Sequence, residues 1–439
     1  MKAGHSWNYT PYAPFDRQSD LENPMFLRLA PQKNGFQMEW YAPKAATYTL
    51  FVREREGKAE KAYPLTDKTI TVSDLSERET YILRIDGADG TKSRERLLYT
   101  MDVPGTVINY LHPEDPAYIY SGKFLCSPSL VIMPSGKYIV SMDVFNRYAP
   151  QNHTILFEST DQGKTWQYLT EIHPLFWGKL FLHRGELYLL GVSGQYANVI
   201  IGKSTDEGKT WSTPVILFYG SSSVGEGFHR APCVIEEHDG RLWTSMEYGS
   251  AYINGYCNCV LSADMEGDLL SPESWTISSP YRQEDGSLAI EGNVITAPDG
   301  TLINFLRYKY EEALLLRVNT EDFHAPNTLI KKLPFPMART KFEIKRHKNG
   351  KYYALGNDCK HQRTKLSVYS SLDLMNWKYE TAVLDYSAAD TNKVGFQYPV
   401  FEFEEEGFLV ISRTAFGGAA CYHDNNLITC HRIPFDFSK

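Results

Sequence analysis

STDQGKTW, Ser159 to Trp166, returns 45 residues later as STDEGKTW, Ser204 to Trp211, with one position changed. An octet written twice either carries chemistry or is a building device that recurs because the architecture recurs. Its residue types favour the second reading. Ser and Asp bond neighbouring backbone, Gly accepts positive φ and Trp packs, which together describe a tight hairpin. A worn version, SSLDLMNW, stands at residues 370–377, one residue short of the pattern.

Around the octets runs a longer rhythm, a polar-Gly-polar turn followed by an apolar strand: PSGKYIVSM, HRGELYLLG, HDGRLWTSM, PDGTLINFL, KNGKYYALG and EEGFLVISR. The turn glycines are Gly136, Gly185, Gly240, Gly300, Gly350 and Gly407, spaced by 49, 55, 60, 50 and 57 residues. Each unit has a strand before the glycine, one after it and a third such as HTILFES or NVIIGKS. A fourth is usually recognisable, as in TWQYLTEI. Four antiparallel strands repeated at this period predict the blades of a β-propeller. The chain is therefore expected to be all-β, with a six-bladed propeller over residues 105–439. The last unit lacks its fourth strand, and GTVINYL, just ahead of the first blade, is expected to supply it and close the ring.

Before the propeller, GFQMEWYAP, ATYTLFVRE, KTITVSDL and TYILRIDGADG alternate apolar and polar residues between Gly, Asp and Pro turns. Residues 25–100 read as a small fibronectin type III-like β-sandwich, and residues 1–24 as an N-terminal extension. Packing against the propeller, or helping a homo-oligomer form, is the expected role of the sandwich.

The formal charge of −8, with Lys and Arg scattered, provides no electrostatic footprint for nucleic acid or an anionic membrane. The first twenty residues contain no apolar run of signal length. Seven cysteines at irregular spacing fit a reducing compartment, so a soluble, cytoplasmic protein is expected. Cys257-Asn-Cys259 has no second pair at zinc spacing, and neither a metal nor another cofactor is expected. Aromatics at 13% suit both pleated sheets and sugar rings.

The octets match the Asp-box pattern S-x-D-x-G-x-x-W, and on them the chain resembles the sialidase superfamily, also called the BNR repeat. The resemblance implies a peripheral hairpin in each copy, with Asp161 and Asp206 as turn-makers and Trp166 and Trp211 as packing residues. It also implies that the chemistry lies where the innermost strands begin and the second strands end, around one mouth of the central channel.

Those positions hold Arg230, Arg307, Arg339 and Arg413, with Lys179, Lys341, Glu247, Glu291, His229, Asn293, Asn357, Tyr248, Gln397 and Tyr398. Convergent donors and carboxylates in a concave site suit ligand binding, and guanidinium forks suit a carboxylate. Sialidases use an arginine triad for the substrate carboxylate, an Asp acid, and a Tyr nucleophile with a Glu partner. Carried onto this chain, the resemblance implies Tyr398 with Glu247 as that pair, with Asp143 or His153 in the loop DVFNRYAPQNH as the acid; His229, in FHRAP at the channel mouth, is a further acid or base candidate. One departure is plain: where the family carries Arg-Ile-Pro in its first blade, this chain has Cys126-Ser127-Pro128. Arg230-Ala231-Pro232 is the nearest echo.

The resulting expectation is an exo-acting glycoside hydrolase that removes a terminal, acidic sugar from an oligosaccharide. A lyase or unusual glycosidase acting beside a uronate through His and Tyr uses many of the same residues. A non-catalytic glycan-binding propeller is the third reading.

Overall fold

The computed structural model describes residues 10–12, 22–44, 46–118, 120–147, 149–220, 226–250, 255–284 and 286–438. Most of the expected N-terminal extension therefore lies outside the described residues. Its strand Thr10–Tyr12 pairs antiparallel with Gln167–His173.

From Thr106 onward the chain forms six antiparallel sheets, the expected propeller blades. Blade 1 consists of Phe124–Ile132, Tyr138–Phe145, Thr154–Ser159 and Gln167–His173, from the axis outward. Blade 2 follows with Phe176–His183, Glu186–Val192, Val199–Ser204 and Val215–Phe218. In blade 3 the innermost strand is split into Gly227–His229 and Glu236–His238, both paired to Arg241–Ser250; Gly255–Asp264 and Trp275–Ile277 complete it. Ile290–Thr296 and Glu343–Arg346 are the innermost strands of blades 4 and 5. Blade 6 runs Gly395–Glu404, Gly407–Ala415, Leu427–Pro434 and then Thr106–Tyr110, so GTVINYL does close the ring from the other end of the propeller.

The repeat follows from local chemistry. All six turn glycines have φ between 73° and 150°, the region a side chain disfavours. The octets fold into matching hairpins. Ser159 Oγ accepts from the Gly163 N–H (2.7 Å) and Asp161 accepts from the Thr165 N–H (2.9 Å), while Trp166 Nε1 donates to Gly163 O (3.1 Å). The second copy repeats this at Ser204, Asp206, Gly208 and Trp211. The worn copy keeps the same plan, with Leu374 at φ 63° in place of glycine and Trp377 Nε1 donating to its carbonyl. Trp166 is buried between blades 1 and 6 and Trp211 between blades 1 and 2. A fully buried side chain of such size contributes about 1.5–3 kcal/mol or more.

Ahead of the ring, Met25–Gln32, Gly35–Tyr41 and Thr69–Val72 form one sheet; Glu60–Leu65, Tyr48–Glu54, Thr80–Gly87 and Arg96–Tyr99 form a second. The inward residues Phe36, Met38, Leu50, Val52, Leu83 and Ile85 share one core, which continues into blade 6 through Val107, Tyr110 and Leu427. Buried Arg28 donates to Ile108 O (2.8 Å) and Val107 O (2.7 Å), satisfying carbonyls on the closing strand. No helix among the described residues is long and apolar enough to cross a membrane. The seven cysteines are free thiols.

Candidate active site

Four innermost strands carry the same irregularity at the channel mouth. The pairing register slips between Cys126 and Ser129, Phe176 and Lys179, Ile290 and Asn293, and Gln397 and Val400. In each bulge one non-glycine residue has positive φ: Ser127 (48°), Trp177 (51°), Glu291 (56°) and Tyr398 (50°). Each is followed by Pro or Gly: Pro128, Gly178, Gly292 and Pro399. A bulge with a left-handed residue re-aims one side chain out of the alternating pattern, and such strained positions persist only where their surroundings enforce them.

Two of these four residues meet. The Tyr398 hydroxyl donates to Glu291 Oε1, and Glu291 Oε2 accepts from Arg307 Nη1 at 2.7 Å. Burial alone would raise the Glu291 pKa, but Arg307 and the Tyr398 hydroxyl hold it below the usual carboxylate value. Tyr398 moves the other way: burial, then the negative charge of Glu291, push its pKa above the ordinary phenol. The pair is thus a neutral phenol beside an ionised acceptor. Glu247, the expected partner of Tyr398, is engaged elsewhere. Its Oε1 accepts from the Glu291 N–H (2.8 Å) and its Oε2 meets His229 Nδ1 (3.0 Å). Burial raises its pKa, against the His229 bond. The pairing implied by the resemblance is corrected here because the bulge turns Glu291 towards Tyr398.

Three arginines surround the phenol. Arg307 touches Glu291, Arg413 lies 5.2 Å from the Tyr398 ring centroid, and Arg363 donates to Gln397 Oε1 beside it. Arg413 is held by Asn425 Oδ1 and His423 O, both at 2.5 Å. Burial lowers the Arg363 pKa to about 10, which leaves it charged near neutrality. On the far side of Glu291, His229 is packed between Trp177 (ring centroids 4.2 Å) and Tyr256 (4.5 Å).

The remaining expected residues are placed less centrally. Arg230 is fully buried and donates to Ala231 O, Leu190 O and Thr244 Oγ1, within the wall of the ring. Arg339 donates to the Tyr310 hydroxyl and stacks on that ring at 4.3 Å. Asn293 bridges Phe342 O and the Ile344 N–H, while Asn357 donates to Phe396 O (2.6 Å). Tyr248 packs on Phe228. His153 bonds Glu171 of the outermost strand of blade 1 (2.9 Å). Asp143 accepts from Thr154 Oγ1 (2.6 Å) and the Trp177 N–H (2.9 Å), and burial drives its pKa well up.

Lys179 reaches Glu343 at 3.7 Å, and Lys341 donates to Pro399 O at 2.6 Å. Blades 2 and 5 stand opposite each other in a ring of six, so the first contact spans the channel.

Residues 177–411, more than half of the chain, match the family described as BNR repeat-like domain. The chain belongs to that family. The match runs from the inner strand of blade 2 to the second strand of blade 6, so this BNR repeat-like propeller carries Glu291, Arg307, Arg363 and Tyr398 within it. No curated protein matches the sequence. Among solved structures, the Hadza microbial sialidase Hz136 is 12% identical with TM-score 0.54, over 97% of this chain and 99% of that one. An unknown-function protein from Dyadobacter fermentans DSM 18053 is 15% identical with TM-score 0.50, over 71% and 95%. The Penicillium chrysogenum α-L-arabinanase complexed with arabinobiose is 12% identical with TM-score 0.48, over 76% and 98%. At such identities the likeness is one of fold.

Sequence reasoning missed Arg363, which lies past the end of a second strand, and the pair His423–Asp424, which lies in a loop of blade 6. His423 Nδ1 meets Asp424 Oδ1 at 2.8 Å, and its ring packs edge-on against Phe145 at 5.5 Å. Extending the survey of strand ends into the following loops would have brought both into view.

Proposed function

We propose that this BNR repeat-like propeller is a retaining glycoside hydrolase that removes a terminal, carboxylate-bearing sugar from an oligosaccharide. The observation that carries the reading is the bond from Tyr398 to Glu291, inside a ring formed by Arg307, Arg363 and Arg413. A substrate carboxylate fits three guanidinium groups. A neutral phenol avoids repulsion with that carboxylate, and it becomes a nucleophile as its proton passes to Glu291. The Lys179–Glu343 contact reaches across the channel from blade 2 to blade 5, and a substrate that cannot thread past it would be attacked at a chain end.

The test is a panel of oligosaccharides ending in sialic or uronic acids, with products read by mass. Hydrolysis adds one water across the cleaved bond. Products whose masses sum to that of the substrate, with ultraviolet absorbance from a conjugated double bond, would instead indicate elimination and overturn the reading. So would glycan binding without any turnover.

A further inference from the structure

Cleaving a glycosidic bond to an unactivated alcohol needs a proton delivered to the departing oxygen. Tyr398 and Glu291 are committed to the other face of that exchange. Asp143 is 1% exposed, with one oxygen bonded to Thr154 and the other to the Trp177 N–H. His153 is 3% exposed and bound to Glu171 on the outer side of its blade. His229 is 9% exposed and wedged between two aromatic rings.

His423 differs from all three. Its side chain is 40% exposed, and Asp424 holds Nδ1 so that Nε2 points away from the carboxylate. Among the described residues no hydrogen bond to Nε2 is made. The loop that carries it is pinned to the site at two points: Gln397 Nε2 donates to Tyr422 O (2.7 Å) and Arg413 Nη2 donates to His423 O (2.5 Å). That same Arg413 lies over the Tyr398 ring. A carboxylate fixing one ring nitrogen of a solvent-facing histidine is the arrangement that sets its tautomer for proton transfer.

We propose that His423, oriented by Asp424, is the catalytic group that protonates the leaving oxygen and then deprotonates water. This rests on the hydrolase reading above. In the first step His423 starts as the imidazolium, with its Nδ1 proton bonded to Asp424: the glycosidic C–O bond breaks, its electron pair stays on the leaving oxygen, and that oxygen takes the Nε2 proton, which leaves the ring neutral. The Tyr398 oxygen bonds to the anomeric carbon while the phenol proton moves to Glu291. In the second step water bonds to that carbon and gives a proton to Nε2. The bond to Tyr398 breaks, and the phenol recovers its proton from Glu291. Burial of the packed side of the ring, and then the positive field of Arg413, lowers the His423 pKa in the free protein, and a bound substrate carboxylate offsets that field and favours the imidazolium.

The experiment compares methyl, phenyl and 4-nitrophenyl sialosides and glucuronides with wild-type protein, His423→Ala, His423→Gln and His229→Ala. Only a poor leaving group needs the acid. For His423→Ala, kcat/KM on the methyl glycoside should fall by about 10²–10⁴-fold, with far less loss on the 4-nitrophenyl glycoside. Asp424→Asn should give a milder loss with a displaced pH profile. An equal loss across the series, or leaving-group dependence that appears in His229→Ala instead, would overturn the proposal while leaving the hydrolase reading in place. Each variant is its own control for folding, because the activated substrate reports intact protein. Wild-type protein that turns over none of the panel would sink both.

Discussion

Glu291 and Tyr398 occupy the same bulged, left-handed position in the inner strands of blades 4 and 6, and the hydroxyl of one donates to the carboxylate of the other. If they act as one unit, removing either removes the function of both. Glu291→Gln should lower kcat/KM by about 10²–10⁴-fold, and Tyr398→Phe by at least as much. The double variant should be little worse than Tyr398→Phe, as a double-mutant cycle on kcat/KM would show. Additive losses would mean that the two residues work independently.

The acid limb of the pH profile follows from the environment of Glu291. The carboxylate must be ionised to receive the phenol proton, and its pKa lies below the ordinary 4.5 because burial, which raises it, is outweighed by Arg307 and the Tyr398 hydroxyl together. Activity is therefore lost only as pH falls below that value. Arg307→Met removes the cation, so the limb in kcat/KM should move to higher pH.

The arginines divide into two kinds. Arg363→Ala should raise KM for carboxylate-bearing substrates by about ten- to a hundredfold, the worth of one charged hydrogen bond. Arg230→Met should leave KM alone and lower stability by about 1–3 kcal/mol, because Leu190 O and Thr244 Oγ1 lose a donor in the buried wall. Thermal unfolding alongside steady-state kinetics separates the two outcomes.

The octet has a pH signature of its own. Burial works against the Asp161 carboxylate, but bonds from Thr165 and Ser159 hold its pKa at about 2, below the ordinary 3.8. A depressed folded pKa supplies stability that is complete above 3.8 and lost as pH falls towards 2. Asp161→Asn should thus lower Tm at neutral pH without changing kcat/KM, and the gap from wild type should close over that acid window.

How much of this was legible depended on whether the information was local. The ring could be counted because each blade needs a left-handed turn residue, and Gly136 through Gly407 display it openly. The octet hairpins and the closing strand at Thr106–Tyr110 were readable for the same reason. The site was harder, because strand alternation fails where it matters. Bulges re-aim Glu291 and Tyr398, while a survey of strand ends also gathered Arg230, Asn293 and Asn357, whose polar atoms are taken up within the wall of the ring. It also paired Tyr398 with Glu247, whereas the Tyr398 hydroxyl meets Glu291. The Pro or Gly after each bulged residue was in the chain all along, but only the register displays its meaning. Arg363 and His423 come from loops, where no periodicity points inward.

The most direct test of the central claim is to quench the protein during turnover of a slow, fluorine-substituted glycosyl fluoride of its substrate and map the label by peptide mass. A single glycosyl group on Tyr398, absent in Tyr398→Phe, is the predicted result. Label on Glu247, Glu291 or another residue, or steady turnover with no labelled protein, would contradict it.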